Sequence, residues 1–158
     1  YKRQALRECS RVLKPGGTIC LVFGNSKGTI WAILQRAIAK AGLRIIEEEI
    51  TILNKGQRSV KGLASGFEQV ATLDLVLPLQ VGHSTEVLSQ PNNDEITALY
   101  SELANQEYAT PSHLYLEALR RAIRRGWDVG KMNLKEASLA LESAGWELNP
   151  KSGLLQRR

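Results

Sequence analysis

The alternation of apolar and polar positions divides the first half of the chain into helices and strands. Apolar residues recur with a 3.6-residue period over residues 2–13 and again from Ile30 to Ala41, which predicts two amphipathic helices. Between them, residues 18–23 form a nearly continuous apolar run, typical of a strand buried on both faces of a parallel sheet. Residues 43–53 and 73–79 follow a β pattern, which predicts two more strands.

The order of these elements predicts the fold class. Helix, strand, helix and strand alternate, which favours an α/β fold with a parallel sheet. The last two strands are joined by a polar loop, residues 54–69, without an intervening helix. Because a parallel connection needs a crossover, these two strands are predicted to form an antiparallel pair at the edge of the sheet.

The second half of the chain predicts a small, mostly helical subdomain. Residues 81–93 are rich in Gly, Ser, Asn and Pro and are predicted to be a linker between residues 1–80 and 94–158. Three helices follow, and each begins at a residue suited to N-capping. Their predicted bounds are Asp94–Asn105, Ser112–Arg125 and Asn133–Ala144. Residues 146–156 predict a short hairpin, so helix, turn, helix and hairpin together have the layout of a winged helix-turn-helix.

Composition indicates an ordinary globular protein. Hydrophobic residues make up 43% of the chain and charged residues 23%. No apolar run approaches the roughly 20 residues that a membrane-spanning helix needs, and residues 1–4 are polar, so we expect a cytoplasmic protein with no membrane contact. Cys9 and Cys20 lie in apolar segments and are predicted to be buried thiols, which fits a reducing compartment.

Charge is distributed unevenly along the chain. Residues 1–80 carry a net charge of +6, residues 81–110 carry −5, and residues 111–158 carry +4, which gives the chain its net +5. Two basic segments separated by an acidic one indicate two surfaces able to meet a polyanion.

The segment Ala5–Phe23 resembles class I S-adenosylmethionine-dependent methyltransferases. It has the form of their fourth helix, a Leu-Lys-Pro-Gly-Gly turn at residues 13–17 and their fifth strand. The helix with Trp31, the strand 44–52, the basic segment 54–61 and the strand 72–77 are similar to the amino-group DNA methyltransferases, which modify adenine N6 or cytosine N4. The resemblance covers about residues 1–80.

The resemblance implies the C-terminal part of a Rossmann-like methyltransferase sheet with an antiparallel last strand. The family's catalytic tetrapeptide (Asp or Asn, Pro, Pro, aromatic) and its Gly-rich cofactor loop do not occur in the chain. We therefore expect a fragment that holds no catalytic residue and no cofactor by itself, although the intact enzyme would use S-adenosylmethionine and bind DNA. An uncovered sheet edge would favour self-association. Two alternatives stay open: a fragment of an RNA or small-molecule methyltransferase, and a non-enzymatic module that binds nucleic acid.

Two groups of polar residues in the first half are predicted to meet DNA. The polar loop would contact phosphates through Lys55, Gln57, Arg58, Ser59 and Lys61, unless it is only a solvated loop. Asn25 and Ser26 follow the fifth strand, where the resemblance implies the pocket for a flipped base. Their alternative role is N-capping of the next helix. Trp31 would stack on a ligand or pack in the core.

The second half carries a further basic group. Arg120, Arg121, Arg124 and Arg125 share one end of a predicted helix, where they would complement the helix dipole. In the winged-helix interpretation, the residues that meet DNA are Arg124, Arg125, Lys135 and Lys151. His83 and His113 are isolated from other metal-ligating residues, so no metal site is expected.

Overall fold

The chain forms six strands and five α-helices in the part that the computed structural model describes, residues 2–54, 73–83, 88–108, 110–149 and 155–157. The elements are, in order, α1 (Lys2–Val12), β1 (Ile19–Phe23), α2 (Gly28–Lys40), β2 (Leu43–Ile45), β3 (Thr51–Leu53), β4 (Asp74–Val81), α3 (Asn93–Ala104), α4 (Pro111–Arg124), α5 (Leu134–Ser143), β5 (Trp146–Leu148) and β6 (Leu155–Arg157). A single 3-10 turn, Glu47–Glu49, separates β2 from β3. The chain is therefore α/β, as predicted.

Strand β4 is the centre of the larger sheet. It pairs antiparallel with β1 on one side and with β2 and β3 on the other. The predicted antiparallel pairing of the last two strands is confirmed. In the described sheet, β2 and β3 lie at the edge and β4 is the inner strand of the pair. The predicted parallel pairing is wrong for the described strands: β1 and β2 run in the same direction, since both oppose β4, yet β4 lies between them.

The strand predicted over residues 43–53 is interrupted in the middle. Ile45 pairs with Leu79 and Thr51 pairs with Val76. The five residues 46–50 between β2 and β3 therefore lie opposite only two residues of β4, 77 and 78. Pro78 stands at this break, and its carbonyl accepts a hydrogen bond from the amide of Ile46 at 2.8 Å. Because the N–H and C=O of a strand residue point to the same side, the amide that proline lacks would have faced this segment. The residues between β2 and β3 leave the sheet here and form the 3-10 turn Glu47–Glu49.

The two faces of the larger sheet differ in burial. Register partners share a face, so Leu75, Leu77 and Leu79, which are at most 1% exposed, lie on one face with Ile19, Leu21 and Phe23. This face joins the core cluster formed with the inner sides of the helices. The opposite face carries four exposed side chains, Cys20, Val22, Arg44 and Thr51.

Strand β1 is therefore less covered than its sequence predicts. One of its faces is exposed, and no described strand pairs with its second edge. The prediction of two buried thiols is also wrong, because Cys9 on α1 and Cys20 on β1 are both exposed. On α1 the apolar stripe buries Leu6 but leaves Val12 64% exposed. Periodicity identified the stripe correctly, but no described element packs on most of it.

The helices of the second half begin close to their predicted positions. The N-cap residue of α5 is Asn133, as predicted, whereas α3 and α4 begin at other residues. Asn92, rather than Asp94, is the N-cap of α3 and forms a capping box with Glu95. Thr110, rather than Ser112, caps α4, because Pro111 occupies the first helical turn. The glycines at 126 and 145 have φ angles of 68° and 84° and follow the ends of α4 and α5, as predicted.

One continuous core runs from the larger sheet into the three C-terminal helices. It includes Trp31 and Leu77 from the first half and Leu103, Leu119 and Leu141 from the second. Strands β5 and β6 pair antiparallel, which confirms the predicted hairpin. The Rossmann-like sheet, the winged-helix layout and the domain division at residues 81–93 stay predictions. No described helix combines the length and the apolar content that crossing a bilayer requires.

Candidate functional site

A polar turn, residues 24–28 (hereafter the β1–α2 turn), follows β1 at its carboxyl end. The side chains of Asn25 and Ser26 are half-buried and that of Lys27 is exposed. Neither Asn25 nor Ser26 is the N-cap of α2, a position taken by Lys27, which makes no side-chain capping bond. Asn25 instead accepts a hydrogen bond on its Oδ1 from the amide of Lys27 at 2.9 Å. The capping role considered for Asn25 and Ser26 is therefore wrong.

Three chain segments meet at this end of the sheet. Leu53, the last residue of β3, pairs with Asp74, the first residue of β4. Phe23, the last residue of β1, pairs with Leu75. A Cβ built on Gly24 would overlap the carboxylate of Asp74, so the β1–α2 turn touches the start of β4. The carboxyl ends of β1 and β3 therefore flank the start of β4 at one end of the sheet. Open α/β sheets bind ligands at the carboxyl ends of their strands.

The predicted phosphate-contacting residues of the polar loop are outside the described residues. These are Lys55, Gln57, Arg58, Ser59 and Lys61. Their described neighbours in the chain, Asn54 and Leu73, stand at the same end of the sheet as the β1–α2 turn. Asn25, Ser26 and the two described residues that flank the polar loop are thus all at one end of the sheet.

Trp31 packs in the core. Its side chain is 1% exposed and packs in a T-shaped contact with the ring of Phe23, with centroids 4.9 Å apart. Its indole Nε1 donates a hydrogen bond to the carbonyl of Asn25 at 2.9 Å. The stacking role considered for Trp31 is wrong, since its ring is inaccessible, but its N–H fixes the start of the β1–α2 turn.

The β1–α2 turn is also bonded to the start of α5. The amide of Gly28 donates to Oδ1 of Asn133 at 3.1 Å, and the amide of Leu134 donates to the carbonyl of Ser26 at 3.1 Å. A Cβ on Gly28 would collide with the carbonyl oxygens of Val129 and Met132, so the two backbones are in direct contact. The sequence identified Asn133 as a helix start but gave no signal that its side chain reaches residue 28.

Two buried tyrosines hold the segment before α5. The hydroxyl of Tyr115 donates to the carbonyl of Met132 at 3.2 Å, and that of Tyr100 donates to the carbonyl of Asn133 at 3.2 Å. Burial raises the pKa of both phenols, and for Tyr100 the neighbouring Tyr115 and Glu136 raise it further. Both tyrosines are therefore neutral donors near neutral pH.

The side chain of Gln35 adds a third connection between the halves. Its Nε2 donates to the carbonyl of Trp127 at 2.9 Å, and its Oε1 accepts from the amide of Val129 at 3.3 Å. The amide group thereby satisfies two backbone groups of the loop that leads to α5, which explains why a polar residue is only 8% exposed on α2.

The arginines near the end of α4 have partners within the protein. Nε and Nη2 of Arg124 donate to the carbonyls of Glu47 and Glu48 at 2.9 and 2.8 Å. The guanidinium of Arg125 lies 5.3 Å from the centre of the Trp127 ring. These contacts give both residues structural roles on the larger sheet and the loop after α4. Their predicted contact with DNA stays a prediction.

The other two arginines of this group belong to an ion-pair network. Arg120 and Arg121 both contact the buried carboxylate of Glu117, at 2.7 and 3.1 Å. Arg121 also pairs with Glu102 on α3 at 2.8 Å, which ties α3 to α4. Lys135 is exposed on α5, and Lys151 lies outside the described residues. Of the residues that the winged-helix interpretation predicts to meet DNA, Lys135 is therefore the described one for which no structural contact is identified.

No group of three metal-ligating side chains occurs within the described ranges. The ring of His113 packs against Tyr108 with centroids 5.3 Å apart, and His83 is exposed after β4. An open groove of about 540 Å³ lies at the hairpin, between Glu107, Tyr108, Trp146, Leu155 and Arg157. Its two aromatic walls are nearly buried, and the indole of Trp146 already donates to the carbonyl of Ala104 at 2.8 Å.

The chain matches no protein-family model, no curated protein and no solved structure.

Proposed function

We propose that the chain is the C-terminal part of an S-adenosylmethionine-dependent DNA methyltransferase that modifies an exocyclic amino group, adenine N6 or cytosine N4. The observation that carries the proposal is the position of β4, which lies antiparallel between β1 and the β2–β3 pair. The resemblance implies an antiparallel last strand, and the turn at residues 13–17 stands between α1 and β1, where the resemblance expects it.

The arrangement at the carboxyl end of β1 supports a ligand site there. Gly24, which directly precedes Asn25 and Ser26, touches the start of β4, and the residues that flank the polar loop lie at the same end of the sheet. Phosphate contacts from Lys and Arg would orient the nucleic acid, and neutral polar groups would contact the base. In such an enzyme the target base leaves the duplex to reach its pocket.

The uncovered surface of α1 and β1 supports a larger intact enzyme. Val12 and Val22 are 64% and 43% exposed. Cys9, on the same helix as Val12, and Cys20, on the same strand as Val22, are exposed as well. An open strand edge is normally covered in a native protein, and within the described residues the second edge of β1 has no partner strand. The proposal is that the missing part of the sheet covers it and carries the methyl donor and the catalytic tetrapeptide.

The decisive experiment supplies that missing part. The chain is co-expressed with the polypeptide encoded immediately upstream of Tyr1 and incubated with tritiated S-adenosylmethionine and an unmethylated duplex. We expect label in DNA as N6-methyladenine or N4-methylcytosine. The chain alone should incorporate no label and show no heat of binding when titrated with the methyl donor. Label in RNA or in a small acceptor instead of DNA would refute the DNA part of the proposal.

A second experiment examines the polar loop, residues 54–69, in the chain alone. Non-specific DNA binding, with a dissociation constant of about 10⁻⁴ to 10⁻⁶ M, should weaken steeply with salt. Arg58→Ala with Lys61→Ala should lower the salt slope by up to roughly 2. The matched control is Arg36→Ala with Lys40→Ala, since both residues are exposed on α2 and α2 runs away from the β1–α2 turn. Fluorescence anisotropy with a random duplex gives both slopes, and equal slopes would contradict the proposal.

A further inference from the structure

We propose that Asn133 is a positioning residue that holds the β1–α2 turn for its ligand, although 105 residues separate it from Gly28. The ligand part of this inference rests on the proposed function, in which the β1–α2 turn faces the nucleic acid. The positioning part rests on the hydrogen bonds between the starts of α2 and α5.

The starts of α2 and α5 each provide the hydrogen-bond acceptor for the first amide of the other helix. The first amide of α2, from Gly28, donates to the Asn133 side chain, and the first amide of α5, from Leu134, donates to the carbonyl of Ser26. Asn133 occupies the N-cap position of α5, yet its side chain makes no capping bond to its own helix. Lys27 likewise makes none for α2. The ordinary local capping is therefore replaced by an exchange between two distant segments.

The segment that carries Asn133 is itself fixed by the core. Tyr100 and Tyr115 hold the carbonyls of residues 133 and 132, and Gln35 holds the backbone at 127 and 129. Gly28 leaves no space for a side chain between the two backbones. The position of the β1–α2 turn is thus set by the C-terminal helices.

The β1–α2 turn combines a fixed backbone with available side chains. Its carbonyls at 25 and 26 and its amide at 28 are all hydrogen-bonded within the protein. Ser26 is half-exposed and Lys27 is exposed at the same place. Binding to a preorganised element costs less ordering than binding to a mobile one, so loosening the turn should weaken binding. Lys27 would supply the positive charge of this contact.

The first arm of the test measures positioning without any ligand. Asn133→Ser keeps a good N-cap for α5 but is too short to reach Gly28, whereas Asn133→Asp keeps an oxygen at the Oδ1 position. Amide hydrogen exchange followed by NMR should show Gly28 exchanging about fivefold faster in Asn133→Ser, the change expected for one lost hydrogen bond. Asn133→Asp should exchange at a rate between those of the wild type and Asn133→Ser. It keeps the acceptor for Gly28, but its second oxygen replaces the Nδ2 that donates to the Lys131 carbonyl and the Glu136 carboxylate at 3.3 Å. Unchanged exchange at Gly28 in Asn133→Ser would overturn the inference.

The second arm measures DNA affinity at low salt and well below the unfolding temperature. Asn133→Ser should bind a random duplex about two- to tenfold more weakly, and the α5 control Ser138→Ala should bind like the wild type. Ser138 is a suitable control because its hydroxyl donates to the carbonyl of Leu134 in its own helix at 3.1 Å. Faster exchange with unchanged affinity would show a purely structural Asn133 and overturn the positioning role. A wild-type chain that binds no DNA would refute the proposed function, while the exchange result would still decide whether Asn133 holds the turn.

Discussion

Helices α1 and α4 have the same kind of amphipathic sequence but different surroundings. On α4 the apolar residues Leu114, Leu119 and Ile123 are at most 3% exposed, because α3, α5 and the larger sheet pack around them. On α1 the apolar stripe buries Leu6 but leaves Cys9 and Val12 exposed. Hydrophobic periodicity thus shows which side of a helix is suited to burial, but it does not show whether the packing partner belongs to the same segment of chain.

The largest difference should appear when one apolar residue is shortened on each helix. Leu119→Ala removes a fully buried side chain and should lower the free energy of unfolding by about 2–5 kcal/mol through lost burial and a cavity. Val12→Ala should change it by less than about 0.5 kcal/mol. Urea denaturation followed by circular dichroism measures both. A comparable loss at Val12 would show that the α1 stripe is covered in the chain alone.

The contact between the halves should tolerate no added side chain. Gly28→Ala places a methyl group against the carbonyl oxygens of Val129 and Met132, so the two backbones must separate. We expect a loss of about 1–3 kcal/mol in unfolding free energy. Thr29→Ala, at the next and exposed position, is the matched control. If Gly28→Ala unfolds at the wild-type urea concentration, the halves are not in close contact.

Alkaline pH should weaken the C-terminal core through its buried tyrosines. Burial raises the pKa of Tyr100 and Tyr115 in the folded chain, whereas unfolded tyrosine ionises near pH 10. Below pH 10 both states keep the phenolic protons, so the stability is unaffected. Above about pH 10 the unfolded chain releases protons that the folded chain retains, so stability falls, by up to about 1.4 kcal/mol per pH unit for each tyrosine.

The measurement is urea denaturation between pH 9 and 11.5. A double variant, Tyr100→Phe with Tyr115→Phe, has a lower starting stability because it loses two hydrogen bonds, but its stability should fall less steeply with pH. Identical slopes for the variant and the wild type would mean that these phenols ionise equally in both states.

The smallest effects should come from the two arginines at the end of α4. Arg124→Ala loses two hydrogen bonds to the 3-10 turn and should lower the free energy of unfolding by about 1 kcal/mol. The loss is smaller than for a buried charged group because the Arg124 side chain is exposed. Arg125→Ala loses a contact with one aromatic ring and should cost about 0.5 kcal/mol. Thermal unfolding resolves the difference. If either variant also weakens DNA binding, its predicted contact with nucleic acid gains support.

Local patterns were sufficient to predict most elements of the fold. The alternation of Leu75, Leu77 and Leu79 predicted a strand with one buried face, and all three are buried on β4. The glycines at 126 and 145 predicted helix ends, because a left-handed φ there costs glycine little. Helix starts were less certain, since Asn92, Asn93 and Asp94 are all good capping residues and only the capping box with Glu95 selects Asn92.

Non-local contacts could not be predicted in the same way. The break between β2 and β3 depends on Pro78, about 30 residues further along the chain, which becomes relevant only once β4 is known to be their neighbour. The Asn133–Gly28 bond depends on how α5 meets α2, and neither residue is unusual in sequence. Candidate residues Asn25 and Ser26 could be selected from the strand that precedes them, but the source of their fixed geometry could not.

Hydrogen exchange along β1 tests most directly whether its open edge meets another part of a larger protein. About half of the amides of an antiparallel edge strand point away from its neighbour. In the dilute chain alone, these β1 amides should exchange rapidly, while amides of α4 should be protected close to the global limit. Adding the polypeptide encoded upstream of Tyr1 should slow the β1 amides by about tenfold or more and leave α4 unchanged. The account is contradicted if β1 is already as protected as α4 in the monomeric chain, or if the upstream polypeptide leaves its exchange unchanged.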